Sequence, residues 1–199
     1  ESDFNNFFKD INELREKIFL PITIGGGIRT IEHVRKCFEN GADKILINFL
    51  AHKDQSVCEQ IAKIFGEQAI SIMVDYKKDE NNLSSYINSG KVFSKTLKEF
   101  INSMENLKFG ELILNSIDQD GTAAGLDLDC LNLIPKKFKN PILVMGGAGK
   151  PEHFISALSH ERISGVITAN LFNFLGKGLQ EARNFSIKNN IRLIKFEGV

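Results

Sequence analysis

An internal repeat is the feature that most restricts how this chain can fold. The stretch from Pro21 to His33 realigns 120 residues later on the stretch from Pro141 to His153, with identical residues at six aligned positions. After an insertion of two residues in the second copy, the run ending in Asn48 aligns with the run ending in Asn170. Two consecutive matching strand ends, in the same order, predict a doubled half-barrel. The alternative is that any two strand-helix units share proline, glycine and apolar residues.

Short apolar runs rich in Ile, Leu and Val recur along the chain, and each is typical of a buried strand. Six such runs begin at Pro21, Lys44, Ala69, Glu111, Pro141 and Gly165. Most are separated by segments with helical spacing of apolar residues, which predicts parallel pairing through right-handed crossovers.

The predicted fold class is therefore α/β, a (β/α)8 TIM barrel built from two half-barrel repeats. Residues 1–199 are expected to form a single barrel domain that is incomplete at its N-terminus and lacks about the first two strands. Either an N-terminal stretch precedes this sequence, or another chain closes the barrel.

Composition and charge exclude several classes of protein. Lys+Arg and Asp+Glu both number 25, so no overall field attracts nucleic acid or an anionic membrane. The three cysteines form no CxxC pair, and neither a metal site nor a disulfide framework is predicted. No cofactor is expected. The absence of a long apolar run and the acidic, polar first residues indicate a cytoplasmic protein without a membrane segment. Any anionic ligand must be held locally.

Two glycine-rich turns follow repeat-related strands and predict phosphate binding. Glycines let backbone N–H groups approach an anion closely, and a helix N-terminus follows each turn. The asparagines that end the neighbouring strands could each donate a side-chain amide to the same anions. Two such turns suggest a substrate with two phosphates, although a tight turn with positive φ is the alternative for either. The candidate residues are Gly26, Gly27, Asn48, Gly146, Gly147 and Asn170.

Two further strand ends carry polar residues suited to catalysis or binding. Asp75 closes the apolar run ISIMVD, where a sheathed carboxylate is a candidate for general acid–base catalysis. A helix cap, or a pair with Lys77 or Lys78, is the alternative. The turn NSIDQDGT contains Asp120 and Gly121 and could bind hydroxyls and a phosphate. An ordinary loop could have the same composition.

Charged residues also stand at the opposite ends of the strands. Asp43 and Lys44 precede the run ILIN, and Glu111 precedes LIL. Charges that point into the bottom of a barrel are costly unless they are paired, so Lys44 and Glu111 are predicted to face each other. Alternatively, they simply flank strands in water.

Four ordered motifs resemble the cyclase subunit of imidazole glycerol phosphate synthase, the HisF family. They are the run from Pro21 to Asn48, the strand end VDYK, the segment NSIDQDGTAAGLDLD and the run PILVMGGAGKPEHF. The resemblance covers essentially the whole chain. It implies a lyase of histidine biosynthesis that receives ammonia from a HisH-like glutaminase subunit through the barrel. Ammonia is then joined to a bisphosphorylated ribulosyl aminoimidazole carboxamide, which yields imidazole glycerol phosphate and an aminoimidazole carboxamide ribotide.

The resemblance also assigns residues. Asp75 matches one of the two catalytic aspartates of the family, and the other would lie before the first residue of this sequence. Lys44 and Glu111 match members of the charged gate through which ammonia enters, and Asp43 matches a residue that faces the glutaminase. The positions that match phosphate-binding residues are Gly26, Gly27, Asn48, Gly121, Gly146, Gly147 and Ala169.

Departures from the family pattern cluster around the phosphates. Phe49 replaces a small hydroxyl residue, Met145 and Asn170 replace serines, and Asn115 replaces a threonine. Lost hydroxyl donors should weaken or reshape substrate recognition. This pattern resembles HisF paralogues that deliver ammonia to a surface-sugar amidotransferase, which is a second hypothesis. The pathway's phosphoribosyl isomerase is a third, but an isomerase has no ammonia to admit through a charged gate.

Overall fold

The structure, a computed structural model, describes residues 2–79, 82–169 and 176–193. The chain forms two compact units. The first comprises Glu1–Met73 and Met104–Glu111, and the second comprises Val74–Ser103 and Leu112–Val199. Within the described ranges, the helices are too short or too polar to cross a membrane. The same ranges hold no group of three or more His, Cys, Asp or Glu side chains placed to bind a metal ion.

The first unit alternates helices with parallel strands. Its elements are α1 (Ser2–Arg15), β1 (Thr23–Gly25), α2 (Ile31–Glu39), β2 (Lys44–Ile47), α3 (Phe49–Lys53), α4 (Gln55–Phe65) and the first part of β3 (Ile70–Asp79). β1 pairs with β2, and β2 pairs with β3, both in parallel. In β2, Ile45 and Ile47 are buried in the core, whereas Lys44 and Leu46 on the other face are only half-buried. This alternation directs Lys44 away from the helix-covered core.

The second unit contains the rest of β3 and the remaining elements. They are β4 (Asn82–Ile87), β5 (Val92–Thr96), α5 (Leu97–Ser103), β6 (Glu111–Ser116, from Leu112 onward), β7 (Ile142–Met145), α6 (Pro151–Leu158), β8 (Gly165–Ile167) and α7 (Gly178–Lys188). β6 pairs with β7, and β7 with β8, in parallel registers that set Asn115 opposite Met145. The strand order here is β3, β6, β7 and β8.

The six predicted strands are all present, as β1, β2, β3, β6, β7 and β8, and the parallel pairing with alternating helices confirms the (β/α)8 class. The prediction that Asp75 closes its strand is wrong. β3 continues to Asp79 and pairs antiparallel with β4, which pairs antiparallel with β5. Neither hairpin strand was predicted, because their sequence lacks a continuous apolar run. The hairpin turn uses positive φ angles at Asn88, Ser89 and Gly90.

The two repeat-related turns share their local geometry. Gly26 and Gly146 have φ angles of 96° and 94°. His33 and His153 each accept, through Nδ1, the backbone N–H of the residue four positions earlier, at 3.3 and 3.2 Å. The similar φ angles of Gly26 and Gly146 and the matching bonds to the two histidines, at a spacing of 120 residues, support the internal repeat. They also give the two histidines a structural role at the helix starts.

Candidate active site

The carboxylate of Asp75 is held by a side chain of a neighbouring strand. Asn115, the penultimate residue of β6, donates from Nδ2 to Asp75 Oδ1 at 2.8 Å. Asp75 is half-buried between the fully buried Val74 and Tyr76 of the same strand. Lys77, suggested as a possible partner, places its ammonium over the ring of Tyr86, 5.0 Å from the centroid. Asp75 therefore holds its carboxylate in a defined position on the less buried face of β3.

One pocket of the second unit brings together five of the residues predicted to bind phosphate. They are Asp120, Gly121, Gly146, Gly147 and Ala169, and Met145 and Thr168 are among their neighbours in the lining. The carbonyl of Gly147 accepts the N–H of Gly125 at 2.9 Å, which ties the turn to the loop after β6. Asn170, the remaining residue predicted for this site, lies outside the described residues.

Glycine is required at the floor of this pocket. Gly146 and Gly147 have φ angles of 94° and 96°, which side-chain-bearing residues rarely adopt. A Cβ on Gly146 would lie 2.4 Å from the carbonyl oxygen of Ser116, and one on Gly147 would lie 2.0 Å from that of Gly125. The two glycines therefore permit a close backbone packing that lets main-chain groups line the pocket.

The corresponding turn of the first unit is more open. Gly26 and Gly27 have positive φ angles of 96° and 66°, and among the residues that the structure describes no atom lies within 4 Å of a Cβ built on Gly26. Asn48 follows β2 directly and precedes α3. Phe49, the departure from a small hydroxyl residue, packs under Arg29, whose guanidinium carbon lies 3.7 Å from the ring centroid. The substitution thus exchanges a hydroxyl for a cation–π contact beside the glycine turn.

Lys44 and Glu111 form an ion pair, as their placement before the strands predicted. Lys44 Nζ donates to Glu111 Oε2 at 2.6 Å, and their side chains are 34% and 17% exposed. The other carboxylate oxygen of Glu111 accepts the hydroxyl of Ser71 at 2.5 Å. Both oxygens are therefore engaged, and the half-buried carboxylate has the hydrogen bonds that its desolvation requires. Whether this pair admits ammonia stays a prediction.

Asp43 is engaged within its own unit. Its carboxylate accepts two bonds from the Arg15 guanidinium, at 2.8 and 3.2 Å, and one from the backbone N–H of Ile22 at 2.8 Å. The Ile22 N–H has the largest effect and lowers the pKa of the Asp43 carboxyl, desolvation opposes this effect, and Arg15 lowers the pKa further. Its assignment to a glutaminase-facing surface stays a prediction.

Two polar residues of the site escaped the sequence-based prediction. Ser71 lies fully buried in the apolar run ISIMVD, and Asn115 was noted only as a departure from the family pattern. A hydroxyl inside a buried strand is itself a signal, because buried polar groups almost always have a partner. The identity of that partner, 40 residues away in both cases, could not be read from the run.

Ser71→Ala is expected to lower the free energy of unfolding by about 1.5–3 kcal/mol, the usual worth of a hydrogen bond to a charged group. The substitution removes a partner of Glu111 and leaves that carboxylate oxygen poorly solvated. Urea unfolding followed by circular dichroism measures the change. Ser186→Ala is the matched control, because Ser186 is equally buried and donates to the neutral carbonyl of Ala182 at 2.8 Å. Equal losses in the two variants would contradict the special contribution of Ser71.

Comparison with known proteins gives consistent matches. A family model described as histidine biosynthesis protein matches residues 3–177. A protein of Parasynechococcus marenigrum, provisionally named imidazole glycerol phosphate synthase subunit hisF2, is 37% identical over 182 residues, which are 91% of this chain and 68% of that protein. Imidazole glycerol phosphate synthase subunit HisF of Hydrogenobaculum sp. is 37% identical over 180 residues, 89% of this chain and 71% of the relative. The subunit of the same name from Clostridium botulinum is 33% identical over 178 residues, 88% and 70% respectively.

Proposed function

This chain belongs to the histidine biosynthesis protein family and, within it, to the HisF subunits of imidazole glycerol phosphate synthase, and from that premise we propose how its residues serve the cyclase reaction. The activity is that of a lyase. The substrate is a bisphosphorylated ribulosyl aminoimidazole carboxamide, which combines with ammonia to give imidazole glycerol phosphate and an aminoimidazole carboxamide ribotide.

The pocket of the second unit carries this proposal. It gathers Asp120, Gly121, Gly146, Gly147 and Ala169, which come from three separate loops, around one small concavity. Backbone N–H groups at glycine turns bind phosphate without a lysine, because no Cβ blocks the approach. In the first unit, the turn at Gly26 and Gly27, with Asn48, is the repeat-related candidate for binding a phosphate.

Asp75 serves as a general acid–base group in the ring closure. Addition of ammonia and the later loss of water each require a proton to move on or off the substrate, and a positioned carboxylate can carry it. The hydrogen bond that the carboxylate accepts from Asn115 at 2.8 Å restricts its orientation.

The ion pair of Lys44 and Glu111 is the proposed entry for ammonia supplied by a glutaminase partner. It is a half-buried pair at the N-terminal ends of β2 and β6. In this proposal, ammonia enters when the lysine separates from the carboxylate. This feature favours the cyclase over the isomerase, whose reaction uses no ammonia.

A second candidate function is supported by the residues that replace hydroxyl donors. Met145 lines the phosphate pocket, and Phe49 packs under Arg29 beside the other turn. Neither side chain can donate a hydrogen bond to a phosphate. A barrel with weakened substrate recognition could instead deliver ammonia to a separate surface-sugar amidotransferase.

Steady-state assays of the full-length protein separate the two functions. The ribulosyl substrate is supplied with an ammonium salt, and then with glutamine and a HisH-type glutaminase. Formation of imidazole glycerol phosphate under both conditions is the result expected of the cyclase. Absence of product, combined with retained binding of the glutaminase, would instead indicate ammonia delivery.

A further inference from the structure

The side-chain amide of Asn115 has a defined orientation. Its Nδ2 lies 2.8 Å from Asp75 Oδ1, and an ionised carboxylate can only accept hydrogen bonds. The amide nitrogen, and not the oxygen, must therefore face Asp75. Asn115 Oδ1, the other polar atom of the planar amide group, takes no part in this contact.

Asn115 Oδ1 is buried, and within residues 2–79, 82–169 and 176–193 no hydrogen-bond donor contacts it. A buried acceptor left without a donor destabilises the folded protein, and such groups are rare in native proteins. A donor from a bound molecule would remove this cost. The oxygen is therefore a candidate contact for a ligand.

Asn115 is a neighbour of both parts of the proposed site, the Asp75 carboxylate and the lining of the phosphate pocket. On one side the amide contacts Asp75 of β3, and on the other Asn115 stands in register with Met145 of β7, which lines the phosphate pocket. The next residue, Ser116, presents the carbonyl against which Gly146 packs. Asn115 thus lies between the catalytic carboxylate and the phosphate-binding turn of the same unit.

We propose that Asn115 determines substrate specificity and positions Asp75, an inference that rests on the proposed cyclase function. Nδ2 holds the Asp75 carboxylate, and Oδ1 accepts a hydrogen bond from an N–H or O–H group of the substrate. The ligand group opposite Asn115 is therefore a donor, such as a carboxamide N–H or a sugar hydroxyl. The threonine that the family pattern has here can both donate and accept through one hydroxyl, whereas the asparagine divides these tasks between two atoms.

Asn115→Ala and Asn115→Thr test the inference in the full-length protein, because alanine removes both the donor and the acceptor whereas threonine keeps one hydroxyl that can serve as either. Calorimetric titration with the bisphosphorylated substrate, without ammonia, measures binding through Oδ1. We expect Asn115→Ala to raise Kd about 10-fold, in line with loss of a hydrogen bond to a buried acceptor. Asn189→Ala is the control, because its exposed amide donates only to the Phe185 carbonyl, at 2.9 Å. Its Kd should stay within about 2-fold of the wild-type value.

Turnover with an ammonium salt measures the positioning task. We expect Asn115→Ala to lower kcat about 10-fold or more, and Asn115→Thr to recover most of kcat because its hydroxyl can still donate to Asp75. Unchanged Kd and kcat in Asn115→Ala would overturn the inference, as would equal loss of kcat in both variants. If the alanine variant fails to fold, the threonine variant alone still tests the inference, because a fall of its kcat by about 10-fold or more would contradict it. A wild-type protein that neither binds nor converts the substrate would instead refute the proposed function.

Discussion

Asp75→Asn is expected to lower kcat of the cyclase reaction by roughly 10²–10⁴-fold, the usual contribution of a positioned general acid or base. Asparagine keeps the shape of the side chain, and its carbonyl oxygen can still accept the 2.8 Å bond from Asn115. It cannot carry a proton. The expected signature is a large fall in kcat with little change in KM, measured by steady-state kinetics with the ribulosyl substrate and an ammonium salt.

Asp79→Asn provides the matched control for this prediction. Asp79 is the last residue of the same strand, it is exposed, and it accepts a bond from the Tyr86 hydroxyl at 3.4 Å. Removal of its charge should leave kcat within about 2-fold of the wild-type value, as for most exposed positions away from the chemistry. If Asp75→Asn behaved like this control, Asp75 would not be the proton carrier.

Gly147→Ala is expected to lower the free energy of unfolding by about 2–4 kcal/mol and to abolish phosphate binding at the pocket of the second unit. The added Cβ would lie 2.0 Å from the Gly125 carbonyl oxygen, so the turn or the loop after β6 must move. The φ angle of 96° adds strain of its own. Urea unfolding gives the stability change, and calorimetric titration with the bisphosphorylated substrate gives the change in affinity.

Gly176→Ala separates the effect of backbone strain from the effect of a steric clash. Gly176 also has a positive φ, 56°, but a Cβ there would have no atom of the described residues within 4 Å. Its substitution should cost about 1 kcal/mol, the penalty of the left-handed conformation alone, and should leave substrate affinity unchanged. Similar losses of stability and affinity in the two variants would show that the close packing at Gly147 does not shape the pocket.

The hairpin of β4 and β5 is an example of strands that the local pattern of apolar residues does not predict. Buried parallel strands are apolar on both faces and can be recognised as runs, as in ILIN and PILVM. The hairpin strands are mostly polar and partly exposed, and their pairing depends on a turn with positive φ at Asn88 and Ser89. These angles arise from tertiary context, because neither residue requires them.

The sequence likewise predicted some polar contacts of the site and missed others. Asp75, Lys44 and Glu111 were identified from their positions at the ends of apolar runs, and the pairing of Lys44 with Glu111 followed from the cost of an unpaired buried charge. Ser71 and Asn115 were not assigned as partners. Each bonds a residue 40 positions away, and such a pair forms only when two strands adopt one particular register.

The amino-acid sequence by itself determined the alternation of strands and helices, the repeat and the glycine turns, because these depend on the spacing of apolar residues and on the φ angles that only glycine adopts readily. Tertiary structure alone decided the polar contacts of Asn115 and Ser71. The amide of Asn115 reaches Asp75, and the hydroxyl of Ser71 reaches Glu111, because strand register brings distant residues within hydrogen-bonding distance. The spacing of apolar residues within each run does not predict that register when the strands are far apart in the sequence.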